Sequence, residues 1–239
     1  MFKDAGKEAA IVVPRPLSSS LFFELKQEKL AFQQLMKVME GIYGKCPAEH
    51  KLPQHCYVNH HISAVLRKIR IPESDISGIR GLKVLDLACG SANTVEKPRN
   101  RDEKNAFEPW LSRFFTLAGA AKVVGVDLER QADYERFESH ARNLAEKGAL
   151  GFLADSSFNL VVCCGLVSFT GDAGRDAAAW VGENMTVPEM FQMRSELFSQ
   201  AQRVLEEGGL FVCDCSPDIN HLSPYGLFKK SEGKLERIC

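Results

Sequence analysis

Residues 83–94 begin Lys83-Val84-Leu85-Asp86-Leu87-Ala88-Cys89-Gly90-Ser91-Ala92 and continue to Asn93 and Thr94. A run of leucine and β-branched valine, entered from Gly81 and closed by small residues, predicts a strand buried on both faces, as in a parallel sheet. The small residues from Ala88 to Ala92 let the backbone come close to a bound molecule. Asn93 and Thr94 predict a helix start whose unpaired N–H groups stand just behind the turn. Asp86, at the strand end, sets a carboxylate where the amino group of a ligand would meet it.

The pattern repeats downstream. Apolar runs at 122–127, 158–164 and 210–215, with a weaker one at 137–142, predict strands two, four, five and three. Between them, helical spacing predicts one helix from Pro109 to Gly119 and another over roughly 188–206, its stripe being Phe191, Leu197, Phe198, Ala201, Val204 and Leu205. Glu206-Glu207-Gly208-Gly209 reads as the turn into strand five. Such alternation implies an α/β, doubly wound, mostly parallel sheet, with ligands outside the carboxyl ends of its strands. Upstream, Phe32, Leu35, Met36, Met39, Ile42 and Tyr43, then Ile62, Val65, Leu66 and Ile69, predict two amphipathic helices. The chain thus divides into an N-terminal helical cap, 1–80, and a sheet domain, 81–239. Pro98 and the polar run after it break the helix after strand one, so 97–107 reads as an excursion beside the turn, either a lid or a passive insertion.

By Asp86-x-Ala88-x-Gly90-x-Ala92 the first segment resembles the first motif of class I S-adenosylmethionine-dependent methyltransferases. That motif reads acid-x-Gly-x-Gly-x-Gly, so alanine stands at two of its three glycine positions. The resemblance extends over residues 81–216 and implies a Rossmann-like fold with S-adenosylmethionine as cofactor, bound along Asp86, Ala88 and Gly90. It implies that Asp127, closing strand two, binds the ribose hydroxyls, since a carboxylate has two acceptor oxygens for them. Leu128 would pack against the adenine, and Asn143-Leu144 would contact its edge, the asparagine through its carbonyl oxygen. Cys164 would line the crevice at the end of strand four, or else be a small buried residue. A nicotinamide dehydrogenase fits less well: Gly-x-Gly-x-x-Gly is absent, and an acid at Asp86 repels a pyrophosphate.

Methyl transfer needs a lone pair held in line with the methyl group and water kept out, and proximity alone can supply about 7–11 kcal/mol. No catalytic side chain is therefore nominated, although His61, His140 and His221 are the candidates where a base is needed. The text after strand four, Cys164-Gly165-Leu166-Val167-Ser168-Phe169, lacks the Asn/Asp-Pro-Pro-aromatic string and the Pro-Cys pair of DNA methyltransferases. Net charge of −1 and a pI near 6.6 leave no basic footprint for nucleic acid. A small-molecule acceptor is expected, with a protein or RNA acceptor, or a catalytically silent scaffold of the same fold, as the alternatives.

Several features bound the setting. No apolar run reaches the ~20 residues of a membrane span, Met1-Phe2-Lys3-Asp4 does not begin a signal peptide, and the cysteines read as buried reduced thiols, so a cytoplasmic protein is expected. Cys46, His50, His55, Cys56, His60 and His61 crowd one loop, but not at a standard zinc spacing; metal site, lid and plain surface stay open there, and no metal is assigned. Only 24 residues follow Cys215, enough for a short helix and a strand or for a hairpin around Ser231-Glu232-Gly233. An abbreviated sheet edge would need cover, which leaves a homodimer open.

Overall fold

The structure, a computed structural model, describes residues 33–35, 37, 62–89, 109–128, 130, 133, 135–163, 186–213 and 226–238. Helix α1 (62–68) leads through a 3-10 turn, Ile76–Ile79, into β1 (Lys83–Leu87). Helix α2 (Trp110–Leu117), β2 (Lys122–Asp127), β3 (Phe137–Ala141) and β4 (Phe158–Cys163) follow. Helix α3 (Val187–Val204), β5 (Leu205–Cys213), β6 (Gly226–Ser231) and β7 (Lys234–Arg237) complete the described chain. The seven strands form one sheet in the order β3-β2-β1-β4-β5-β6-β7. Strands β1 to β5 are parallel, and β6 and β7 are antiparallel additions. The doubly wound, mostly parallel sheet expected from the alternation is therefore the one observed. Among the described residues no helix is long and apolar enough to cross a membrane.

Period-2 alternation divides the sheet between two cores. Val84, Val123, Leu160 and Val162 face α2, where they meet Phe114, Phe115 and residues of α1 such as Ile62 and Leu66. Leu35, in a short helical stretch of the N-terminal region, joins the same cluster. Leu85, Val124, Val161 and Phe211 face the other way, onto Leu197, Ala201 and Val204 of α3. Both faces being covered explains why the central strands read as unbroken apolar runs rather than alternating ones.

Two expectations are corrected here. The Glu206–Gly209 stretch is not a turn between helix and strand: α3 ends at Val204, and β5 begins at once at Leu205. The ladder pairs Phe158 with Leu205 and then Leu160 with Leu210, so the extra residues bulge out of β5. Gly208 takes φ +81° there, and a Cβ on Gly209 would lie 2.9 Å from the Glu206 carbonyl oxygen, so glycine serves the bulge. The sheet edge is not abbreviated either, because β6 and β7 form the hairpin read around Ser231-Glu232-Gly233. Its turn is fastened to the bulge: Glu232 and Gly233 donate their N–H groups to the Glu207 carboxylate at 2.6 and 3.3 Å. Lys230 Nζ, largely buried, donates to the Leu205 carbonyl at 2.6 Å. Phe198, Phe211 and Phe228 meet with ring centroids 4.9 to 6.0 Å apart, joining α3, β5 and β6.

Candidate functional site

Asp86 lies inside β1, not at its end as the sequence suggests, since the ladder runs on through Leu87; it stands opposite Gly125 of β2 and Val162 of β4. It shares its face with Val84, so its side chain is turned toward α2 and is 2% exposed. Ser112 of α2 donates its hydroxyl to Asp86 Oδ2 at 2.6 Å, and Thr116 donates its own to the Ser112 carbonyl at 2.9 Å. Burial pushes the Asp86 carboxyl up from 3.8 to about 7. The Ser112 hydrogen bond works against that rise, and the Asp127 carboxylate adds to it. Near neutral pH this acid is poised between its two forms, and a cation brought close would draw it to the charged one.

The turn after β1 is held to β2. Ala88 has φ +59°, a left-handed conformation unusual for a residue with a Cβ. It is kept there by its N–H, which donates to the Val126 carbonyl at 2.8 Å, with Cys89 N–H reaching the same oxygen at 3.4 Å. The Cys89 side chain then lies over Gly125. A Cβ at Gly125 would stand 2.8 Å from Cys89 Sγ and 2.8 Å from Phe137 Cε2. Burial, reinforced by Asp86 and Asp127, pushes the Cys89 thiol up, so it is a protonated packing group and not a nucleophile. Gly125, Cys89 and Ser112 were not nominated from the sequence. The available signals were a glycine inside a β-branched strand, which marks a close approach, and a serine one turn before Phe115 and Thr116 on α2.

Asp127 closes β2 opposite Ala141, on the same sheet face as Asp86. One strand spacing sideways and two residues along place the two Cα atoms about 8 Å apart. Leu128 donates its N–H to Asp127 Oδ1 at 2.6 Å, and its side chain is 37% exposed. Arg142 N–H reaches the Asp127 carbonyl at 2.7 Å, which brings the segment after β3 alongside. There Asn143 Oδ1 accepts the Ala145 N–H at 3.1 Å, and Asn143 Nδ2 donates to Glu146 at 3.3 Å, so this side chain organises its own turn. Leu144 is 6% exposed and packs into the α3-side core.

The fold thus brings Asp86, Ala88, Asp127 and Leu128 to one end of β1 and β2, with Asn143 and Leu144 next to them beyond β3. His140 lies on β3, an edge strand, with its Nε2 2.8 Å from Glu138 Oε1 and its ring 4.4 Å from Phe152. Three strand spacings, about 14 Å, separate β3 from β4, so His140 stands apart from the central strand ends. Gly90, Cys164, His61, His221, the Cys46–His61 cluster and the 97–107 excursion lie outside the described residues.

No protein-family model and no curated protein matches the sequence. Among solved structures, the chain is similar to one in the complex of the Haloferax volcanii Trm112 methyltransferase activator with a methyltransferase partner. The identity is 15% and the TM-score 0.32, over 64% of this chain and 51% of that one. It is also similar to magnesium protoporphyrin IX methyltransferase from Synechocystis PCC 6803, with 16% identity and a TM-score of 0.40, over 74% of this chain and 65% of that one. A third is phosphoethanolamine N-methyltransferase 1 from Haemonchus contortus, with 12% identity and a TM-score of 0.33, over 80% of this chain and 34% of that one. The chain therefore spans between one third and two thirds of the length of these proteins. At such scores the class of the protein rests on its own strand order and site, not on these likenesses.

Proposed function

We propose that this chain is a class I S-adenosylmethionine-dependent methyltransferase that transfers a methyl group directly to a small-molecule acceptor. The observation that carries the reading is the junction of two acids with a tight turn. Asp86 and Asp127 share one face of adjacent parallel strands, and the left-handed Ala88 turn, tied to Val126, stands between them at the carboxyl ends. The residues fit the cofactor chemically: a carboxylate at the end of β2 suits a ribose diol, exposed Leu128 beside it offers an apolar face to a flat ring, and Asp86 supplies negative charge for a cationic ligand.

When bound, the cofactor supplies a methyl group already activated on a sulfonium. The chain's own task is to hold and orient. Asp127 would take the ribose hydroxyls, Leu128 the adenine face and Asn143 its edge, while the Ala88–Cys89 backbone would pass close to the amino-acid end. Cys164 would line the crevice beside the acceptor. A small acceptor is favoured by a net charge of −1, which provides no long-range attraction for a polyanion.

Calorimetric titration with S-adenosylmethionine and S-adenosylhomocysteine, repeated on Asp127→Ala, tests this. Micromolar binding that weakens at least tenfold in the variant, about 1.4 kcal/mol, is the expected result. Absence of binding to either ligand at millimolar concentration overturns the enzyme and favours a silent scaffold.

A further inference from the structure

Residues 142–157, between β3 and β4, form turns rather than a helix or strand. They start at the carboxyl end of β3 and must return to the opposite end of the sheet, where β4 begins. Helix α3 makes the same return, and three of its side chains form a continuous line facing this segment. Glu196, Gln200 and Arg203 are spaced i, i+4 and i+7, hence on one helix face. Gln200 Nε2 donates to Glu196 Oε1 at 3.0 Å, and Arg203 Nε donates to Gln200 Oε1 at 3.1 Å.

Each end of the line grips a different part of the segment. Arg203 holds the far part, donating to the carbonyls of Leu150 at 2.7 Å and Leu153 at 2.8 Å and pairing with Asp155. Glu196 Oε1 holds the near part, accepting the Gly148 N–H at 3.0 Å. Gly148 directly follows the turn that Asn143 organises, where the Glu146 N–H donates to the Asn143 carbonyl at 3.0 Å and the Ala149 N–H donates to the Glu146 carbonyl at 3.2 Å. Arg142, at the head of that turn, is bonded to the Asp127 backbone.

We propose that Glu196, aligned by Gln200 and Arg203, is a positioning residue that sets the 143–148 turn against Asp127 and so shapes the adenine end of the cofactor site. This rests on the cofactor reading given above. Glu196 touches no ligand; it acts by holding the Gly148 amide. Its carboxylate is only partly buried and the Gly148 backbone is exposed, so its loss changes the turn more than the core.

The test uses the full chain with Glu196→Ala and Glu196→Gln, which retains the Oε1 acceptor. S-Adenosylhomocysteine titrations are combined with amide exchange across 143–149 and with thermal unfolding. Glu196→Ala is expected to weaken binding by about three- to tenfold, the worth of one ordinary hydrogen bond. It should also speed exchange at Gly148 and lower Tm by less than about 3 °C. Glu196→Gln should bind within about twofold of wild type. Faster exchange with unchanged affinity overturns the positioning role and leaves the cofactor reading standing. An equal loss in both variants overturns it too, since the acceptor would then not be what matters. Wild-type protein that does not bind S-adenosylhomocysteine overturns the cofactor reading on which the role depends.

Discussion

Replacing Asp86 by asparagine should change how stability depends on pH. The carboxyl is buried against α2 and titrates at about 7 in the folded chain, against 3.8 as its ordinary value. Below about pH 4 both folded and unfolded chains carry it protonated, and it contributes nothing. Between pH 4 and 7 the folded chain holds a proton that the unfolded chain has released, so stability falls as pH rises, by about 1.4 kcal/mol per pH unit. Above pH 7 the full penalty, about 4 kcal/mol, is in place. Asparagine has no such titration. Its amide oxygen can still accept from Ser112, while its NH2 group, lacking an evident acceptor, costs about 1–3 kcal/mol at any pH. The advantage of Asp86→Asn over wild type should therefore grow by up to about 4 kcal/mol between pH 4 and pH 8, whatever its absolute sign. Urea unfolding of both proteins across that range measures the gap directly. A gap that stays constant with pH would refute the burial argument.

Three further outcomes are expected. Gly125→Ala drives a methyl group into Cys89 Sγ and the Phe137 ring, costing about 1–3 kcal/mol and lowering Tm by about 3–9 °C; adding Cys89→Ala should restore part of the loss, and an unchanged Tm in the single variant contradicts the packing. Ala88→Gly releases a left-handed residue at φ +59° and, after glycine's entropy cost, should stabilise by about 0–1 kcal/mol; a Tm drop of more than about 2 °C in thermal unfolding rules this out. Arg203→Ala removes the side-chain donor of the Leu153 carbonyl and leaves the Leu150 carbonyl with the Leu153 N–H alone, which should cost about 1–2 kcal/mol and be read as faster amide exchange confined to 150–157.

The element order was legible because each strand announces itself locally. Val84-Leu85, Val123-Val124 and Leu160-Val161-Val162 are apolar runs that leave few alternatives, and Trp110–Leu117 carries its own helical period. The Asp127 terminus of β2 was legible for the same reason: it is where the run stops. Residues 205–209 misled because Glu-Glu-Gly-Gly is turn chemistry in isolation. Only the pairing of Leu205 with Phe158, together with the contacts of Glu207 and the Leu205 carbonyl to the hairpin, makes it a bulge within a strand.

The sequence by itself determined the alternation, the parallel class of the sheet and the ends of β1 and β2 where two acids and a small-residue turn converge, since these follow from the spacing of near neighbours in the chain. Tertiary structure decided the chemistry around them. Asp86 is a buried acid near neutrality because α2, 26 residues away in sequence, covers it and offers Ser112. Gly125 is required because the turn after the neighbouring strand β1 drops Cys89 onto it, and the turn at Asn143 is held from α3 by Glu196, 48 residues on from Gly148. Desolvation and hydrogen bonding are set by what lies beside a group in space, and no local pattern in the chain records that.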